Sequence, residues 1–100
     1  MNFNNYAGMA SAHEVAQEYD EAAALYRRAL QEQPNASWIY RNLASSLSGA
    51  GRIEEGRQMF AEMMRHYTDL TVSKFKQAMV FSPAALDVMA ENLKRLGLPD

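Results

Sequence analysis

Apolar positions recur along this chain at intervals of three and four residues, with polar positions between them, and the pattern breaks at prolines, glycines and helix-capping residues. Phe3, Tyr6, Met9, Ala10, His13 and Ala16 mark a first amphipathic helix over about residues 3–17, ending near Glu18. Asp20 offers an N-cap for a second, whose stripe of Ala22, Ala23, Leu25, Tyr26, Ala29 and Leu30 runs until Pro34 stops it. Asn35 or Ser37 caps a third through Trp38, Ile39, Leu43 and Leu47, and Ser48-Gly49-Ala50-Gly51 ends it. Ile53 to Tyr67 reads as a fourth, with Ile53, Met59, Phe60, Met63 and Met64 on its apolar side. Asp69 or Thr71 caps a short fifth through Val72, Phe75 and Met79. Ser82-Pro83 starts a sixth, an N-cap followed by proline at the first helical position, and Leu86, Met89, Ala90, Leu93 and Leu96 follow before Gly97 and Pro99 close it. No alternating run of β-branched residues argues for a sheet. The pattern predicts an all-α fold of six helices in three antiparallel hairpins.

The hairpins echo one another. After a shift of 34 residues, Tyr6, Met9, Ala10, His13, Ala22, Tyr26, Ala29 and Pro34 fall opposite Tyr40, Leu43, Ala44, Leu47, Gly56, Phe60, Met63 and Thr68. A fixed period of that length marks a stack of helical pairs, each too small to bury its apolar face alone. Ala10, Ala44, Ala22, Gly56 and Ala29 are small where helices cross closely, and Tyr26 and Phe60 are large enough to fill the space between successive hairpins.

At these residues the chain resembles the tetratricopeptide repeat family. The resemblance covers Phe3 to about Leu70 as two repeats, 3–36 and 37–70, followed by a shortened C-terminal hairpin over about 71–97 that drops the repeat signature. Ala10 and Ala44 stand where the family often has glycine, Gly56 replaces the usual alanine and Thr68 the usual proline. Gly56 costs about 1 kcal/mol relative to alanine inside a helix. The resemblance implies a superhelical stack whose first helices line a concave, ligand-binding side. Tyr67-Thr68-Asp69-Leu70-Thr71-Val72, Phe81-Ser82-Pro83 and Leu93 to Pro99 further resemble the C-terminal end of bacterial proteins that join a class III adenylate or guanylate cyclase domain to such repeats. That likeness implies a regulatory tail, the terminal part of a longer array, with the cyclase domain absent from this sequence.

Composition narrows the function without naming a partner. Ten Lys and Arg against twelve Asp and Glu give a net charge of -2 with no run of either sign, so bulk electrostatics attract neither nucleic acid nor an anionic membrane. The sequence has no cysteine, hence no disulfide, cysteine-based zinc site or thiol chemistry, which fits a reducing compartment such as the cytoplasm. No stretch of eighteen apolar residues could span a bilayer, and the first residues do not read as a secretory signal.

No catalytic, metal-binding or cofactor-binding constellation emerges. His13 sits at a core-aromatic position of the repeat, and His66 in the last turn of its helix, where partial positive charge is favourable. Glu14, Glu18, Glu54, Glu55 and Glu62 read as solvated helix faces, because no nucleophile, base or phosphate loop accompanies them. Met59, Met63, Met64, Met79 and Met89 suit either packing between hairpins or an adaptable surface.

Hairpin geometry directs Asn4, Ala7, Ser11 and Glu14, then Trp38, Arg41, Ser45 and Ser48, toward the concave side. Trp38, Arg41, Ser45, Phe75 and Met79 are the candidate partner contacts, since Trp, Arg and Phe dominate interface energetics. The competing reading packs Trp38 and Phe75 into the core. Alanine and serine at 7, 11 and 45 leave no lysine-asparagine clamp for a C-terminal carboxylate. The expected function is a non-catalytic module that binds a protein or peptide segment. Phe3 and Tyr6, which would meet a preceding repeat in a longer array, are candidates for self-association as a homodimer.

Overall fold

The computed structural model describes residues 2–79 and 81–100. Six helices follow in order: α1 (Phe3–Val15), α2 (Tyr19–Glu32), α3 (Ile39–Gly49), α4 (Ile53–His66), α5 (Val72–Ala78) and α6 (Pro83–Lys94), and no strand occurs among the described residues. The all-α expectation holds.

Local chemistry sets most boundaries. The Asn2 side chain accepts from the Asn5 N–H at 3.0 Å, Thr71 Oγ1 from the Lys74 N–H and Ser82 Oγ from the Ala85 N–H, each capping a helix. Helix α1 ends at Val15, earlier than its apolar pattern predicts, because Gln17 turns into the left-handed region at φ 60°. The Glu18 N–H then closes onto the His13 carbonyl at 2.8 Å. Asp20 falls inside the first turn of α2 rather than at its cap, where its charge still favours the positive end of the helix. Neither Asn35 nor Ser37 caps α3: a short turn places Trp38 at that position without a side-chain bond. Gly51, at φ 80°, reverses the chain after α3 as its lack of a side chain permits.

Helix α1 packs on α2, α2 on α3, and α3 on α4, giving two stacked hairpins. Ala7, Ala10, Ala22, Tyr26 and Ala29 join Ile39, Leu43 and Leu47 of α3 in one core. Across α3, Ala44 belongs to a second core with Met63, Leu70, Phe75, Met89, Leu93 and Leu98. The C-terminal hairpin does more than extend the stack. Helix α6 packs against α5 and also runs against α3, so residues 41–48 of α3 are buried without interruption.

Two glycines make room for this arrangement. A Cβ at Gly49 would lie 2.7 Å from the Tyr19 ring, inside any tolerable contact. A Cβ at Gly56 would lie 3.2 Å from Leu96 Cδ2, a tight contact that a small shift of the leucine side chain would ease, where the segment after α6 meets α4. Val72 donates its N–H to the Pro99 carbonyl at 2.8 Å, which ties that segment to the start of α5.

Candidate functional site

The sequence-predicted contacts separate into an open corner and a covered floor. At the start of α3, Trp38 is half-buried and meets Phe3 edge-on, with ring centroids 6.0 Å apart. One turn further on, the Arg41 guanidinium lies over the Tyr67 ring, 4.8 Å from its centroid. Tyr67 Oη in turn shares a hydrogen bond with Ser37 Oγ at 3.2 Å. Tyr6 is half-buried, with Arg28 over its ring and an Arg28 Nη2 bond to its hydroxyl at 3.1 Å.

Arg41 is only 9% exposed and its Nε has no partner among the described residues. Every other arginine and every lysine makes a hydrogen bond or ion pair. Arg27 and Arg52 share Glu55, Arg57 pairs with Glu54 and Arg65 with Glu62, and Arg95 bonds Asn92. Among the described residues Arg41 alone has neither. A guanidinium presents five donors and stays charged, so this one is placed to receive acceptors from outside the chain.

The remaining candidates lie beneath α6 or in the second core. Ser45 has no exposed surface, and its hydroxyl donates to the Met89 carbonyl while accepting from Asn92 Nδ2, both at a long 3.5 Å. Ser48 is buried as well. Phe75 is fully buried and Met79 packs partly buried against the same core, so as folded here Phe75 offers a partner no surface. Met63 and Met89 are core, with Met59 and Met64 packed against it, which answers the methionine question in favour of packing.

Two expectations are overturned. His13 is not a core residue, because α1 turns it sideways and its Nδ1 lies 2.9 Å from Glu18 Oε1 with a third of the side chain exposed. Glu14 is no solvated carboxylate: it is 2% exposed and sits on the face of α1 that carries Ala7 and Ala10. Tyr26 Oη donates to its Oε1 at 2.7 Å, Asn42 Nδ2 donates to the same oxygen at 3.1 Å and to Tyr26 Oη at 3.1 Å, and Ser11 joins Tyr26 at 3.2 Å. Oε2 meets no hydrogen-bond partner among the described residues. Burial pushes the Glu14 carboxyl up to about 7, against the smaller opposing pull of Tyr26, Ser45 and Asn42. Burial, and then the Glu14 charge, raise the Tyr26 phenol above its ordinary range. The spacing of 7, 10 and 14 on one helix face was the available signal for this burial.

Paired helices stacked through small residues, with a half-open corner on the first helix of the second pair, define a helical-repeat protein. The family model for the tetratricopeptide repeat matches residues 16–80, and the chain belongs to that family. No curated protein and no solved structure matches it. Members of this family generally mediate contacts between proteins and are typically non-catalytic.

Proposed function

We propose that this chain is a non-catalytic interaction module that takes an acidic protein segment at the corner formed by Phe3, Trp38, Arg41 and Tyr67. The observation that carries the reading is Arg41, a nearly buried cation stacked on Tyr67 without a single acceptor among the described residues. Leaving such a group unpaired is costly, and a carboxylate from a partner would remove the cost with charge-assisted, bidentate hydrogen bonds. Trp38 adds apolar contact beside it, while Ser45, Phe75 and Met79 support the site from below by holding α3, α5 and α6 in place. No helix among the described residues is long and apolar enough to cross a membrane.

Trp38 is the only tryptophan in the sequence, so its fluorescence reports directly on this corner. A tryptophan-free peptide of alternating glutamate and leucine should change that emission saturably and in a salt-dependent way, and its glutamine counterpart should not. Arg41→Gln should weaken the acidic peptide about tenfold. Equal responses to the two peptides, or an unchanged affinity in the variant, would refute the reading.

A second reading, pairing of two copies through α1, has its own supporting observation. Met9 and Val15 on α1 are 44% and 50% exposed, and its one acidic side chain, Glu14, is buried. Phe3 and Tyr6 would sit at the edge of that contact. Sedimentation at micromolar concentration should then give a dimer that Met9→Asp dissociates; a monomer throughout ends this reading.

A further inference from the structure

The end of α1, the turn after it and the start of α6 enclose a cleft of about 210 Å³, away from the Trp38–Arg41 corner. Val15, Val88 and Met89 give it apolar walls, and Gln17, Tyr19 and Glu14 form part of its lining. We infer that this cleft is a second binding site, which takes the side-chain ammonium of a lysine presented by a protein partner and holds it against the Glu14 carboxyl.

Three observations support this. Glu14 is only 2% exposed, and while Oε1 is fixed by Tyr26 and Asn42, Oε2 has no hydrogen-bond partner among the described residues. Oε2 is closed to solvent, so the carboxyl must turn toward the cleft to meet a donor, and doing so relieves an unsatisfied acceptor. Glu14 is also the only carboxyl or cationic side chain among the described residues that line the cleft, so once it is ionised, above about pH 7, the field there favours a cation and repels an anion. The first turn of α6 does little to reverse that preference, since Pro83 has no N–H and Ser82 already accepts from Ala85 and Leu86.

The shape selects lysine among cations. A flexible four-carbon stem can lie along Val15 and Val88, which are 50% and 36% exposed, and leave the ammonium at the inner end. The three ammonium donors can be shared among Glu14, the Gln17 carbonyl and the Tyr19 hydroxyl. The chain's own lysines are engaged elsewhere: Lys74 with Asp69, Lys76 with Asp87, and Lys94 with Glu91 and Asp100. The raised protonation range of Glu14 agrees with a carboxyl that lacks its counter-ion. This inference stands apart from the acidic-segment reading, because neither Trp38 nor Arg41 lines the cleft.

Methyl NMR of the full chain at about pH 8, above the folded Glu14 value of about 7, tests it with three probes: an acetylated Ala-Lys-Ala amide, the same peptide with norleucine in place of lysine, and n-butylammonium chloride. The lysine peptide should shift the Val15 and Val88 methyl signals saturably and bind about tenfold more tightly than the norleucine peptide. Glu14→Gln, which keeps acceptors for Tyr26 and Asn42, should reduce the lysine peptide to the norleucine level with helix content unchanged. Val88→Trp, at a partly exposed position outside the Glu14 network, should block the cleft and give the same loss if the first variant fails to fold. Equal binding of the two peptides, or binding of neither, would overturn the site. Butylammonium binding as tightly as the lysine peptide would overturn a protein-borne lysine as the occupant.

Discussion

Phe75→Ala is expected to destabilise the fold by about 3–5 kcal/mol, the cost of emptying a fully buried aromatic position. For a domain of this size that is a large share of a net stability of about 5–15 kcal/mol, and it should lower the thermal midpoint by roughly 12 °C or more. The reason is local. Helix α5 has only seven residues and inserts one fully buried side chain, Phe75, into the core that Leu70, Met63, Met89 and Leu93 complete. Without that ring the short helix keeps its Thr71 cap and the Val72–Pro99 bond but little apolar anchorage. Urea titration followed by circular dichroism measures the effect. A loss below about 1 kcal/mol would contradict the core role and return Phe75 to the exposed groove.

Stability should fall as pH rises from about 4.5 to about 7, the interval between the ordinary Glu14 value and its folded one. Within that window the native chain keeps a proton on Glu14 that the unfolded chain has released. Unfolding therefore releases protons, and raising the pH favours it. The contribution is fully present below about 4.5 and lost above about 7, with a span of about 3 kcal/mol. Glu55 acts in the opposite sense: hydrogen bonds from Arg52 and Arg27 hold its carboxyl down at about 2, so its stabilisation is present above about 4.5 and lost as pH falls through 2. Asp69, lowered by Lys74, follows the same direction. Denaturant midpoints taken across this range should show a descending limb between pH 5 and 7 that Glu14→Gln flattens, while the acid limb remains. A wild-type profile without that descent, or the same descent in the variant, would refute the assignment to Glu14.

The helices were legible because their signals are local. Thr71, Ser82-Pro83, Pro34 and Gly51 act on backbone groups within a few residues, and each ends or begins a helix where its chemistry requires. The repeat was legible for a related reason, since Ala10, Ala22, Ala29 and Ala44 report close helix crossings directly as missing side-chain volume. The polar site was not. Glu14 looks solvated until Tyr26 and Asn42, twelve and 28 residues away, arrive from two other helices to bind it. The apolar stripe of α6 likewise establishes that one face is buried and leaves open which helix buries it. Nothing in Leu86, Met89 or Leu93 announces α3 as a neighbour, and for that reason Ser45 and Ser48 read as groove surface when they are covered. Residue type alone made Arg41 and Trp38 candidates, while the lack of any acceptor for Arg41 among the described residues required the neighbouring side chains to be placed.

The crossing of α6 on α3 has a consequence for how the molecule comes apart. In an open repeat array each unit touches only the next, so the last one can fray while the others stay folded. Here α3 is gripped by α2, α4 and α6 together, and its two sides belong to different cores. Peeling away the C-terminal hairpin uncovers the middle of α3, weakening both pairs it joins. The chain thereby trades the stepwise melting of a linear stack for the single cooperative transition of a closed domain.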